Sequence, residues 1–229
     1  MIIEPPLLRI RRGFARPDPA VLAGFAGVPT GYVVDAMGGG GCLDHRIKPL
    51  ADTAAIMVGT ALTCHAGPAD NLALYAAISM ARPGDILVAA TDGHTGCAVT
   101  GDLMLGMARN RGVAGFVTDG LVRDLVGVLA VGLPVYCAGL TANSPGRRGP
   151  GSAGLPVTLG GGRVEAGDIV VGDRDGVVVV PLAQAAAVLA QLDRVRAAEA
   201  ALDARIKAGL EVPDFFLALL DSGRVEEIP

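Results

Sequence analysis

Residues 101–140 read GDLMLGMARNRGVAGFVTDGLVRDLVGVLAVGLPVYCAGL, and the periodicity of this stretch decides the fold. Residues 102–111 predict a helix, opened by Asp102 as a cap and closed by Gly112. VAGFVTDG follows as a buried strand, residues 125–131 as a short helix ending at Gly132, and LPVYCAGL as another strand. Strands and helices alternating over such short connections argue for parallel β-α-β units and an α/β fold.

Outward from this core, RPGDILVAATDG (82–93) and EAGDIVVGDRDG (165–176) have the same plan: a Gly-Asp turn, a β-rich run and a second turn. They are expected to be two similar β elements of one sheet system. Upstream, residues 54–64 predict a strand, GPADN a turn, and residues 72–81 a helix. Thr30 is a plausible N-cap for a helix over 31–37, which the glycines at 38–41 terminate. Downstream, NSPGRRGPGSAG (143–154) reads as an exposed loop, VVVVP closes the last strand, and a helix runs over 183–208. The expected organisation is an N-terminal arm (1–26), one domain (27–182) and a C-terminal helical arm (183–229).

At 229 residues the chain can bury a substantial core. Hydrophobic residues make up 51% but aromatics only 3%, so Ala, Val and Leu must build that core by close packing. A net charge of −4 gives no electrostatic footprint for nucleic acid or an anionic membrane. An acidic substrate would have to be held by local groups. No uncharged apolar run reaches the roughly 18 residues of a membrane span. The opening MIIEPPLLRIRRG, with Pro5 and Pro6 in its apolar part, does not read as a secretory signal. Cys42, Cys64, Cys97 and Cys137 are scattered without a CxxC pair, as expected of reduced packing thiols in the cytosol.

GDLMLGMARNRG and TDGLVRD each place charge where the chain leaves a strand for a helix, and parallel sheets build their sites at such junctions. A helix starting at Asp102 would point the N–H groups of Leu103, Met104 and Leu105 outward as a cradle for a small carboxylate. Arg123 can set its guanidinium on an oxyanion, and Asp124 offers one hard ligand to a divalent cation. Asp102 and Asp124 can equally be plain helix caps, with Arg123 solvated or ion-paired. The joint placement favours a site: the twenty residues between Asp102 and Arg123 suffice for a helix, a strand and a return to the same sheet edge.

The C-terminal helix carries an apolar stripe at Val188, Leu192, Val195, Leu202 and Ile206, and Glu199 occupies its missing position. A carboxylate in an apolar seam needs a partner or a task, unless the stripe turns to solvent there. His94 and Thr95 approach the cradle, Asp70 and Asn71 form a turn, and Arg147 and Arg148 sit on the Gly/Pro loop. For all six an ordinary loop or capping role competes with substrate contact. His45 and His65 have no partner at metal-ligand spacing.

Asp102, twenty residues, then Arg123-Asp124 resembles the D-x20-R-D signature of the class II pyruvate aldolases acting on 4-hydroxy-4-methyl-2-oxoglutarate and 4-carboxy-4-hydroxy-2-oxoadipate. These belong to the superfamily of RraA, the regulator of RNase E activity. The likeness runs over residues 27–181 through PADN, RPGDILV, GVAGFVTDGLVRD and AGDIVVGDRDGVVVVP. It implies an α-β-β-α sandwich like a swivelling phosphohistidine domain, assembled as trimers or hexamers with sites between subunits. It further implies Mg²⁺ or Mn²⁺ on Asp124, a water held by Asp102, and Arg123 against the pyruvyl carbonyl oxygen. The amides of Leu103, Met104 and Leu105 would bind the pyruvate carboxylate, and Glu199 would come from a neighbouring subunit. The implied activity is cleavage of a 4-hydroxy-2-oxo acid to pyruvate, accompanied by oxaloacetate decarboxylation. A small 2-oxo acid is then the substrate, with no nucleic-acid or membrane partner. The alternative is a non-catalytic RraA-like regulator that docks on an RNA-degrading enzyme. A methyltransferase reading has no support, because the glycines at 38–41 follow a helix and no acidic ribose-binding residue comes after them.

Overall fold

The computed structural model describes residues 6–52 and 55–228; residues 1–5 of the expected arm, Ala54 of the expected strand and Pro229 lie outside the described residues. The chain begins β1 (Leu8–Ile10), α1 (Pro19–Ala23), α2 (Thr30–Ala36), β2 (Lys48–Pro49), β3 (Met57–His65), α3 (Leu72–Met80), β4 (Asp85–Ala90). It continues β5 (Ala98–Thr100), α4 (Asp102–Asn110), β6 (Gly115–Thr118), β7 (Leu121–Val122), α5 (Leu125–Val131), β8 (Val135–Cys137), β9 (Gly139–Leu140). The remainder is β10 (Gly151–Ala153), β11 (Val157–Leu159), β12 (Gly162–Val164), β13 (Ile169–Gly172), β14 (Val177–Val180), a 3₁₀ turn at Leu182–Gln184, α6 (Ala185–Lys207) and α7 (Asp214–Leu220).

The main sheet runs β1-β10-β3-β4-β6-β8-β2, and its centre, β3-β4-β6-β8, is parallel as the short connections predict. These strands are buried on both faces, which suits their nearly unbroken apolar sequence. The sheet forks at β3. The Cys64–His65 end pairs with β10, while Met57–Thr60 pair antiparallel with β13, which leads into β14.

Alternation of side chains sorts the molecule into four layers. On β4, Leu87 and Ala89 face α3 and α4, whereas Ile86, Val88 and Ala90 face β11, β12 and the β13-β14 hairpin. On β13 and β14, Val170, Val177 and Val179 join that middle core, while Ile169, Val171, Val178 and Val180 pack on α2 and α6. Helices, sheet, sheet and helices therefore stack in the expected α-β-β-α order.

The paired Gly-Asp phrases do form equivalent turns on either side of β3. Asp85 accepts the Arg82 N–H at 2.9 Å, and Asp168 accepts the Glu165 N–H at 2.8 Å. Gly84 and Gly167 before them take φ of +86° and +106°, a conformation that favours glycine. Thr60 of β3 stands opposite Asp85 on one side and Ile169 on the other. Asp85 is buried, and Arg16 pairs with it, which ties the N-terminal segment to the sheet.

Several details differ from the sequence reading. Helix α2 begins at Thr30 itself, after Pro29, and the Thr30 hydroxyl and N–H both donate to Asp173 at 2.8 Å. A carboxylate from across the fold has taken over the capping that Thr30 was expected to supply. The loop 143–154 contains β10, whose Gly-Ser-Ala sequence carries no strand signal and is held by its pairing with β1 and β3. The long C-terminal helix starts at Ala185, after the 3₁₀ turn, and ends at Lys207.

All four cysteines are free; Cys64, Cys97 and Cys137 are buried, and burial pushes the Cys64 thiol up to about 12, as suits a packing group. Among the described residues no helix is long and apolar enough to cross a membrane.

Candidate active site

Strands β4, β6 and β8 end at the same edge of the sheet, and each chain segment then bends into a second, smaller sheet. That sheet is parallel, ordered β5-β7-β9, with Leu121 beside Ala98 and Gly139. Asp119 fixes the first bend by accepting from the Thr91 N–H at 2.7 Å, the Thr91 hydroxyl at 2.9 Å and the Gly93 N–H at 3.0 Å. His65, given no role by its spacing, sits 3.0 Å from Asp92 through Nε2 and braces the same bend. From the small sheet the chain enters α4 after β5, and α5 after β7. The Arg123 N–H donates to the Thr100 carbonyl at 3.1 Å, so the two strand-to-helix junctions lie side by side.

At the first junction Gly101 is the cap and Asp102 the first helical residue. The Leu105 N–H donates to the Gly101 carbonyl at 3.1 Å, the first bond of the helix, and so is spent. The cradle expected from Leu103, Met104 and Leu105 is therefore displaced by one residue toward the N-terminus, since an α-helix frees only the amides ahead of its first closed turn. Leu103 donates to the Asp102 carboxylate at 2.7 Å.

At the second junction Asp124 precedes α5 but makes no side-chain cap. Its φ of +61° and ψ of +45° are left-handed, a region that Asp tolerates better than most residues at some cost in strain. That backbone turn carries the carboxylate away from α5 to within 3.1 Å of Arg123 Nε. The plain capping alternative thus fails for Asp124.

Two glycines hold the arrangement. A Cβ on Gly101 would collide with Asp124 Oδ2 and lie 3.1 Å from Arg123 Cγ. A Cβ on Gly127, one turn into α5, would collide with the Asp102 carboxylate. Gly101 has an ordinary extended φ of −150°, so close approach rather than backbone conformation requires it. Asp102 and the Arg123–Asp124 pair thereby sit at neighbouring junctions, each aspartate lying against a glycine at the other's helix.

Arg123, Asp124, Leu125, Leu140, Thr141 and Ala142 line an open cleft of about 290 Å³. Its surroundings are apolar and unusually exposed, with Leu103 at 76% and Val126 at 84%. Arg123 Nη1 also donates to Ser144 Oγ, a residue with no signal in the sequence. The donors at the two neighbouring junctions suit a hard cation: they are carboxylates, without thiol or imidazole. Among the described residues no group of three or more His, Cys, Asp or Glu forms a larger ligand cage.

Other sequence candidates fall elsewhere. Glu199 is exposed on α6, and among the described residues it has no hydrogen bond or ion pair with Asp102, Arg123 or Asp124 of its own chain. Asp70 caps α3 through the Leu72 N–H at 2.8 Å and receives the Arg148 N–H at 2.6 Å. Asn71 is buried and donates to the Val99 carbonyl at 3.2 Å, linking α3 to the strand that leads into α4. Arg147 stacks over Tyr75, 5.6 Å from the ring centre. His94 borders a crevice with Asp70 and Cys97, and Thr95 lines a larger cavity of about 380 Å³. The acids of that cavity are occupied, Asp119 by Thr91 and Gly93, Asp92 by His65, and Asp44 by Arg46.

A family model described as RraA-like, Aldolase/RraA, matches residues 30–179. The chain belongs to the Aldolase/RraA family. It is 37% identical over 182 residues to a Halalkalibacterium halodurans protein provisionally named a 4-hydroxy-4-methyl-2-oxoglutarate aldolase, covering 80% of this chain and 86% of that one. Among solved Aldolase/RraA-like structures, Streptomyces coelicolor RraAS2, an unusual member of the RNase ES inhibitor RraA protein family, is 28% identical with a TM-score of 0.71. That match covers 83% of this chain and 100% of RraAS2. An uncharacterised Pseudomonas syringae pv. tomato protein is 26% identical with a TM-score of 0.75, covering 86% of this chain and 96% of its own.

Proposed function

We propose that the chain is a divalent-metal-dependent pyruvate aldolase. It would cleave a 4-hydroxy-2-oxo acid of the 4-hydroxy-4-methyl-2-oxoglutarate type and decarboxylate oxaloacetate. The observation that carries this reading is the placement of Asp102 and of the Arg123–Asp124 pair at two strand-to-helix junctions that lie side by side. Asp124 would hold Mg²⁺ or Mn²⁺ with Asp102 beside it. That cation, when bound, would supply positive charge at the substrate's 2-oxo group.

The chain's own residues would do the rest. The free first amides of α4, Met104 among them, and the positive end of the helix would receive the pyruvyl carboxylate, and the Leu103 amide would join them on releasing Asp102. As the C3–C4 bond breaks, its electron pair moves into C2–C3 and negative charge grows on the 2-oxo oxygen. Arg123 would stabilise that charge, which is largest in the transition state. Asp102 would hold the water through which the 4-hydroxyl proton leaves and the enolate carbon regains one. Loss of carbon dioxide from oxaloacetate leads to the same enolate, which is why the two activities should travel together.

The site would be shared between copies in a trimer or hexamer. Leu192 is buried on α6, but Leu202 and Ile206 further along are exposed, as are Phe215 and Phe216 on α7. The apolar rim of the cleft supplies a surface that such an arm suits, and Glu199 would arrive with it. Sedimentation should give a trimer or hexamer. Mixing inactive Asp124→Ala and Glu199→Gln chains should restore activity; a monomer, or no rescue after verified subunit exchange, would remove Glu199 from the site. Free cysteines suit a reducing compartment, so the cytosol is the proposed location.

The deciding experiment is pyruvate release from oxaloacetate and from 4-hydroxy-4-methyl-2-oxoglutarate, with Mg²⁺ and with excess chelator. Release that needs the cation is expected from both. The likeness to RraAS2 favours a second reading, a regulator of an RNA-degrading enzyme. Inhibition of an RNase E-type enzyme without pyruvate release would favour that reading over the aldolase.

A further inference from the structure

We infer that Ser144 is a positioning residue that holds the Arg123 guanidinium through Nη1. The inference rests on the aldolase reading for its catalytic consequence, and on geometry alone for the contact itself. Arg123 has two holders in the structure, Asp124 at Nε and Ser144 at Nη1. They are not equivalent. Arg123 and Asp124 side chains are 35% and 42% exposed, so solvent screens their attraction; the Ser144 contact is exposed as well, and the two holders differ in charge rather than in burial. Asp124 is also the carboxylate that a cation would claim, and a cation would compete with Arg123 for it. Ser144 is neutral, and a cation has no comparable call on its hydroxyl.

The segment carrying Ser144 is itself anchored on both sides. On one side the Ala98 N–H donates to the Asn143 carbonyl at 3.0 Å, and the Asn143 side chain donates to the Gly96 carbonyl at 2.9 Å. On the other side Gly146 donates to the Ala69 carbonyl at 2.7 Å and accepts from the Asn71 N–H at 3.1 Å. Ser144 is thereby referenced to β5 and to the start of α3, the two segments that flank the entry to α4. Arg123 issues from β7, the neighbour of β5. The hydroxyl thus relates the guanidinium to the α4 junction independently of Asp124. One guanidinium N–H is directed to Ser144, and Nε lies beside Asp124 as an ion pair without a hydrogen bond, which leaves the Nη2 side for a substrate oxygen.

The test compares wild type, Ser144→Ala and Ser144→Thr. In oxaloacetate decarboxylation Ser144→Ala should lose about ten- to a hundredfold in kcat, the scale of one charge-assisted hydrogen bond and the misplacement that follows its loss. KM should change less than about threefold by the same argument, because the developing charge is the group affected. Ser144→Thr keeps the hydroxyl and should restore most of the rate. A second readout needs no turnover: in ¹⁵N-arginine NMR the Arg123 Nη signals should be separately resolved in wild type and Ser144→Thr, with or without Mg²⁺. In Ser144→Ala they should merge when Mg²⁺ is added. An unchanged kcat in Ser144→Ala, or Ser144→Thr as slow as Ser144→Ala, overturns the inference. If wild type releases no pyruvate, the aldolase reading fails instead and the NMR comparison alone decides whether Ser144 holds Arg123.

Discussion

Asp124→Ala is expected to abolish cation-dependent pyruvate release, with kcat down by at least about three orders of magnitude, the scale of losing a cation's charge at the developing oxyanion. Asp124 is the carboxylate that the left-handed turn withdraws from helix capping and directs toward Arg123. Alanine tolerates that turn less well than aspartate, so some loss of stability would accompany the substitution. Asp124→Asn separates the two effects, because Asn also accepts the left-handed region while lacking the charge. Both variants should lose Mg²⁺ binding in calorimetry, and Asp124→Asn should keep the wild-type melting profile. Decarboxylation by either variant at the wild-type rate, after subtraction of the reaction that free Mg²⁺ promotes, would disprove the role of Asp124.

Arg123→Lys should lower kcat by about two orders of magnitude or more, the effect of removing one group that stabilises developing charge. Lysine keeps the positive charge but has no planar fork, so it cannot meet Asp124, Ser144 and a substrate oxygen at once. An interaction worth more in the transition state than in the ground state appears in kcat. Steady-state kinetics with oxaloacetate separate the cases: a change confined to KM would make Arg123 a binding residue only.

The parallel centre of the fold is legible in the sequence because β4, β6 and β8 are short apolar runs separated by short helices of nine and seven residues. The equivalence of the two Gly-Asp phrases is legible too, since the same local bond shapes both turns. Tertiary pairing hides the rest. Gly-Ser-Ala at β10 becomes a strand only because β1 and β3 present edges to it, and Asp173 reaches Thr30 across 143 residues. At the site, D-x20-R-D is visible, but the helix frame is one residue off. Gly101 and Asp102 are both good caps, and only the Leu105 N–H bond to Gly101 distinguishes them. Ser144 lies in a Gly/Pro-rich loop where nothing local marks one hydroxyl above another.

The reciprocal contact of Asp102 with Gly127 and of Asp124 with Gly101 makes the recognisable pattern longer than its charged members. In this chain it is Gly-Asp, twenty residues, Arg-Asp, two residues, Gly. The two glycines act as gauges: each admits the opposite carboxylate to a depth that any side chain would fill. A related chain with both aspartates but a β-carbon at either gauge position would have to carry its carboxylates further apart, and the charged residues alone would overstate its kinship in chemistry. Sorting relatives by all five positions divides them by the geometry they can build, where the charged residues divide them only by composition.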